Sequence, residues 1–278
     1  MNVHGTRNGR AISPRTVPGQ ASRHAFFSAS ALLFAATATA TIVWCTAMSE
    51  MGEMPMPGGW TMSMAWMPMP EQTWPGAAAS FLCMWIPMMV AMMLPSLAPM
   101  LWRYRQAIVA TGETHPGRLI MLMGAGYFFV WAAVGLAAFP LGATLTMAEM
   151  QLPALARAVP IATGMVVLIA GALQFSAWKT HQLACCRDLP KCGPALPTDA
   201  LTAWRRGLRL GLHCSGCCAG LTATLLVIGI MDLSAMAVVT AAITAERLAP
   251  AGKRVARAIG AIALVAGLFL VARAVGLG

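Results

Sequence analysis

The sequence predicts an all-α protein: a polytopic transmembrane helical bundle of about seven spans, with its amino terminus in the cytoplasm. Three observations carry this. First, of 278 residues 58% are hydrophobic and 10% charged, whereas an ordinary soluble domain has about 45–50% and 25%. Too little polar surface remains to cover a water-soluble globule, and intrinsic disorder needs the opposite balance. Second, the chain contains apolar runs near the ~20 residues that a helix needs to cross ~30 Å of hydrocarbon, with no alternating β pattern to compete. Third, its basic residues fall between those runs in a pattern that membrane topology explains.

The elements follow in order. Residues 1–24, with Arg7, Arg10, Arg15 and Arg23 among Gly, Pro and Ser, read as a disordered basic cytoplasmic tail. Residues 25–278 form the membrane domain. Its first span, 25–46, is longer than the ~7–15 apolar residues of a signal peptide and reads as a retained anchor. Further spans are expected at 77–101, 119–141, 159–178, 210–230, 233–248 and 256–275. Only Met231 and Asp232 separate the fifth from the sixth, so these two form a tight helical hairpin. Seven spans put the tail, the loop with Arg103, Arg105 and Arg118, the loop 179–210 and the stretch from Arg247 to Arg257 on one side. That side then holds 17 of the 19 Lys and Arg residues, leaving Arg157 and Arg273 for the other. The net charge of +10 is thus topological, and nucleic acid is not an expected partner.

The outer loop 48–74 is rich in methionine. Of 22 methionines in the chain, eight lie there: Met48, Met51, Met54, Met56, Met62, Met64, Met67 and Met69. Thioether sulfur is a soft, neutral ligand that selects Cu(I) over hard cations and needs no deprotonation. The prolines at 55, 57, 68 and 70 prevent helix and favour an extended strip of exposed sulfurs. Met54, Met56, Met62, Met64, Met67 and Met69 are the candidate ligands here; the alternative is a flexible hydrophobic loop that skims lipid. In the second span Met84, Met88 and Met92 share one helix face, with Met89 and Met93 beside it, an arrangement that packing explains. Pro87, Pro95 and Pro99 bend that helix.

Six of the eight cysteines fall between Cys185 and Cys218, on the predicted cytoplasmic face. Thiols stay reduced there, so the cluster reads as metal-binding or redox chemistry and not as structural disulfides. Cys214, Cys217 and Cys218 stand at i, i+3 and i+4, which brings them to one helix face. Arg205, Arg206 and Arg209 nearby favour the thiolate. Cys185, Cys186 and Cys192, with His181, lie at the end of the fourth span and beyond, and His213 adjoins Cys214. Cu(I) is the expected metal and Zn(II) the alternative. Cys45 and Cys83 stand alone in spans, where packing accounts for them. Gln174 reads as interhelical glue, Glu246 as a surface partner of Arg247 or Arg254, and the pairs Gly207/Gly211 and Gly216/Gly220 as sites of close helix approach.

These residues resemble a known family, the bacterial predicted metal-binding integral membrane proteins, a domain of unknown function. The resemblance rests on WIPMMVAMMLP at 85–95, on Ala170-Gly171 with Gln174 and Lys179, on CSGCC at 214–218, and on GIMDL at 229–233 followed by Glu246-Arg247. It covers residues 80–275 and implies a multi-span fold in the inner membrane of a bacterium and a metal site at the cysteines, with no established reaction. The sequence departs from the pattern after Cys218, where Ala219-Gly220-Leu221-Thr222 replaces Trp followed by Leu-Met. Two family cysteines that are usually spaced are here the adjacent Cys185 and Cys186, and Asp232 replaces an Asn.

The functional expectation is therefore a non-enzymatic membrane protein that binds Cu(I) in copper handling or transport. Its partners would be the lipid bilayer, the metal ion, and a metallochaperone or a second membrane protein. The alternatives are a thiol-redox protein that exchanges disulfides through Cys217 or Cys218, and a non-catalytic scaffold subunit. No catalytic arrangement is visible.

Overall fold

The computed structural model describes residues 19–50, 54–56, 60–62, 66–67, 72–112, 115–187 and 199–276. They form eight helices and one two-stranded ribbon: α1 (Gln20–Glu50), β1 (Met54–Met56), β2 (Trp60–Met62), α2 (Trp74–Val109), α3 (Pro116–Gln151), α4 (Pro153–Leu173), α5 (Ala177–Arg187), α6 (Ala200–Ile228), α7 (Leu233–Leu248) and α8 (Gly252–Ala274). Local chemistry sets the boundaries. Pro116 and Pro153 open α3 and α4, where a missing N–H costs nothing. Thr73, Asp199 and Asp232 cap α2, α6 and α7 with side-chain oxygens that accept backbone N–H bonds. Gly229 ends α6 at a φ of 148°, which disfavours a side chain there.

Six helices, α1, α2, α3, α4, α6 and α8, are long and apolar enough to cross a membrane. Two expectations change. The fourth predicted span, 159–178, breaks at Gln174–Ser176. Its apolar part is α4, and the residues beyond form the short α5, because the hydrophobic run gives way to Lys179, Thr180 and His181. The sixth, 233–248, is a helix (α7), but its 16 residues span only ~24 Å, and it is not among the six. The loop expected at 179–210 is also partly helical. Asp199 caps α6, which begins ten residues before the predicted start, and Ala203, Gly207 and Leu210 continue its buried face.

Contacts fix the direction of each helix. The α3–α6 pair is parallel: a Cβ on Gly126 would lie 2.7 Å from the Trp204 carbonyl, and one on Gly211 2.9 Å from that of Tyr127. The α4–α8 pair is antiparallel: Gly164 faces Gly267 and Val271, whereas Gly171 faces Gly260 and Leu264. Arg105 near the end of α2 donates to Ser22 at the start of α1. Lys179 and Arg187 of α5 both bond to Glu246 near the end of α7. One end of the bundle, the basic end, thus gathers the starts of α1, α3, α6 and α8, the ends of α2, α4 and α7, and all of α5. The other is the hairpin end, where Trp60 donates to the Ala156 carbonyl at 2.9 Å and the Trp66 ring packs on Phe81 at 5.1 Å. Large side chains such as Leu32, Met121, Leu141, Val238 and Ile262 stand outward, each at least 68% exposed.

Candidate metal centre

The close approach of α3 and α6 builds the centre. At Gly207 a side chain would collide with the Met123 carbonyl, so only glycine lets the two backbones meet. One and two turns further on, Tyr127 and Cys214 touch, hydroxyl to Sγ at 2.9 Å. Cys214 Sγ also lies 3.9 Å from Cys218 Sγ and 4.0 Å from Met93 Sδ. Cys186, reaching in from α5, is buried close enough to Cys214 and Cys217 to interact with both, as Cys217 is to Cys218. The result is a knot of four free, buried thiols (Cys186, Cys214, Cys217 and Cys218), with the Met93 thioether against it.

Two cations border the knot. Arg247 Nη1 lies 3.4 Å from Cys214 Sγ, 3.4 Å from the Tyr127 hydroxyl and 2.9 Å from Ser96 Oγ, and no carboxylate pairs with it among the described residues. Its Nη2 is buried without a hydrogen-bond partner. Lys179 Nζ donates to the Cys217 carbonyl and to Glu246 Oε2, both at 2.7 Å. That ion pair is buried, and Gln174 lies against Glu246. Unpaired charge is expensive in an apolar interior, and a thiolate at Cys214 would give Arg247 the negative partner it lacks.

One pair of sulfurs has the spacing of two ligands on one metal. With a metal–thiolate bond of about 2.3 Å, two sulfurs on one ion stand about 3.8–4.0 Å apart in tetrahedral or trigonal geometry, close to the Cys214–Cys218 separation. Among the described residues no group of three or more His, Cys, Asp and Glu stands so that it could hold a metal ion.

The candidate ligands read from the sequence are distributed as follows. Cys214, Cys217 and Cys218 come together, and Cys186 joins them. Cys185 does not join them as a free ligand: it is disulfide-bonded, contrary to the expectation of reduced thiols throughout, and a disulfide sulfur has no thiolate to offer a metal. His181 is exposed, with Nε2 3.9 Å from Cys185 Sγ. His213 turns to Gln182, Nδ1 to Oε1 at 2.7 Å, and takes no part in the knot. Cys192, Met64, Met69 and Met51 lie outside the described residues. In the ribbon Met54 pairs with Met62, and Met56 with Trp60, so all four share a face. Met54 is exposed, but Met62 is buried at 2%, since Trp60 and Trp66 dock this segment on the bundle; the strip is only partly exposed. Met67 is half-buried.

Several neighbours of the knot escaped the sequence. Arg206 stacks on the Tyr104 ring at 5.0 Å, and the cations at the thiols are Arg247 and Lys179 instead. Glu246 is no surface partner of Arg247 but the buried mate of Lys179. Met93, Tyr127 and Ser96 gave no separate signal. The usable sign for Lys179 and Arg247 was a charged residue inside a largely apolar stretch, which marks function more often than packing.

The described residues, mainly helical, with six helices long and apolar enough to cross a membrane around a buried cluster of thiols, are compatible with a multi-pass membrane protein. More particularly, the chain belongs to the PpoB2 family, described as copper chaperone, which matches residues 82–270. That range holds all four free thiols of the knot, Met93, Tyr127, Lys179 and Arg247. No curated protein and no solved structure matches the chain.

Proposed function

We propose that the protein is a membrane-embedded Cu(I) chaperone in which Cys214, Cys217, Cys218 and Cys186 hold the ion, with Met93 as a further soft ligand. One observation carries this: four free thiols, a thioether and a guanidinium without a carboxylate partner meet in one buried cluster of a chain from a copper chaperone family. The thioether favours Cu(I) over Zn(II), which takes thiolate, imidazole and carboxylate ligands. Charge agrees. Cu(I) held by two thiolates is a monoanion, and Arg247 makes the assembly neutral within apolar surroundings.

In this reading the bundle crosses the inner membrane of a bacterium seven times, with the basic end in the cytoplasm as the positive-inside rule requires. α7 is the short seventh crossing, and it returns the chain to the basic end. Cys186 sits on α5 at that end, so ligand exchange with a thiol-bearing partner starts there. The methionine ribbon at the other end adds further Cu(I) ligands. The role is non-catalytic. The Cys185 disulfide favours a second reading, in which Cys186 exchanges disulfides with its neighbour.

The test is elemental analysis of detergent-purified full-length protein after growth with copper and zinc, beside the Cys214→Ser variant. About one or more copper per chain in the wild type, with the equivalent held by the knot lost in the variant, is expected. Absence of metal from both, with thiols reduced, rejects the chaperone reading and leaves thiol exchange.

A further inference from the structure

A second soft-sulfur pair lies away from the knot. Cys45, in the last turns of α1, is 2% exposed and free, and its Sγ stands 3.7 Å from Sδ of Met231 in the turn between α6 and α7. The two are 186 positions apart in sequence, so their meeting is a product of the fold. Both belong to the hairpin end, the end of the methionine ribbon. One helical turn before Cys45, Thr41 lines a groove of about 620 Å³ between α1, α2 and α7, whose wall includes the thioether-bearing residues Met88, Met92 and Met236. The next residue of α2, Met93, is the one against Cys214. Met88 and Met92 of the groove wall and Met93 at the knot thus follow one another along α2.

We infer that Cys45 and Met231 form a second Cu(I) site, at the hairpin end, which exchanges the ion with the thiol knot along the methionine-lined groove. This deepens the chaperone reading and rests on it for the destination of the ion, but not for the site itself. A thiolate and a thioether satisfy the two-coordinate preference of a soft monovalent ion. Linear S–Cu–S coordination at about 2.3 Å per bond needs a sulfur separation near 4.6 Å, and the three rotatable bonds of Met231 supply the missing ångström. Binding replaces the thiol proton of Cys45, which leaves to water at the hairpin end. Each onward step forms one Cu–S bond as another breaks, the copper stays Cu(I), and no electron moves. Packing alone would be served equally by Leu at 231, which separates the two explanations.

The experiment is an anaerobic competition titration of full-length protein in detergent with Cu(I) and a coloured Cu(I) chelator. The wild type, Cys45→Ser, Met231→Leu and Cys214→Ser are compared, and a thermal midpoint for each reports folding. The wild type is expected to take up one equivalent more than Cys45→Ser, and Met231→Leu to hold that equivalent at least tenfold more weakly, while both variants keep the equivalent that Cys214→Ser loses. Wild-type stoichiometry and affinity in Cys45→Ser and Met231→Leu overturn the second site and leave the knot standing. Loss of copper in Cys45→Ser with none in Cys214→Ser upholds the second site and rejects the knot.

Discussion

At the residue scale, the centre depends on groups whose charges have few partners. Glu246 and Lys179 are buried at 1% and 3%, and removing one member of a buried pair strands the other at a cost of about 3–5 kcal/mol. Glu246→Gln should therefore lower the thermal midpoint of the purified protein strongly, and Lys179→Met with Glu246→Leu should recover much of the loss. Arg247 acts on the ligand set instead. Replacing a partner just outside a metal's own ligands costs about 10–100-fold in affinity, so Arg247→Gln should weaken Cu(I) by that factor in a competition titration. Met93→Leu conserves volume and should cost under about 1.5 kcal/mol of stability, while it reduces preference for Cu(I) over Zn(II). Of these residues, the cysteine triple was legible because i, i+3, i+4 spacing reports a shared helix face. Cys186 was indistinguishable in the sequence from Cys185 and Cys192, since spacing does not say which cysteine of a short segment meets another helix. Tyr127 and Arg247 are neighbours of Cys214 through helices 87 and 33 residues away in sequence, which no local pattern encodes.

At the element scale, glycine sets the spacing that brings ligands together. Gly207 leaves no room for a side chain against the Met123 carbonyl. Gly207→Val should separate α3 from α6, costing about 1–3 kcal/mol as overpacking does, and should lose copper although no ligand has changed. Gly216→Ala is the control, since its nearest neighbour is the edge of the Trp178 ring at 3.3 Å, and it should retain copper. The pairs Gly207/Gly211 and Gly216/Gly220 could be read as close-packing sites from spacing alone, but not which helices they would meet. The cap of α7 carries a pH signature. The Ser234 hydroxyl and the Ala235 and Ser234 N–H groups hold the Asp232 carboxyl below its ordinary value. Its contribution is complete above the unfolded value of ~3.9 and is lost as pH falls through the lower folded value. Asp232→Ala should cost about 1 kcal/mol at neutral pH, with the difference from wild type vanishing in acid.

At the scale of the whole molecule, the topology expected from the sequence puts 17 of the 19 Lys and Arg residues on one side. The apolar runs were easy to read because a bilayer demands ~20 residues, and the run at 233–248 coincides with α7, whereas the short α5, tied to Glu246 through Lys179 and Arg187, was not. Reporter fusions after residue 192 and within the 54–62 ribbon should report opposite sides of the membrane, with the former cytoplasmic; the same side for both would remove α7 or another helix from the crossings. The centre itself is tested most directly by X-ray absorption at the copper edge on copper-loaded, full-length protein. A first shell of sulfur alone at about 2.3 Å, reduced in Cys214→Ser, is the predicted result. A shell of nitrogen or oxygen, or a sulfur shell unchanged in Cys214→Ser, would contradict a Cu(I) centre built on these thiols.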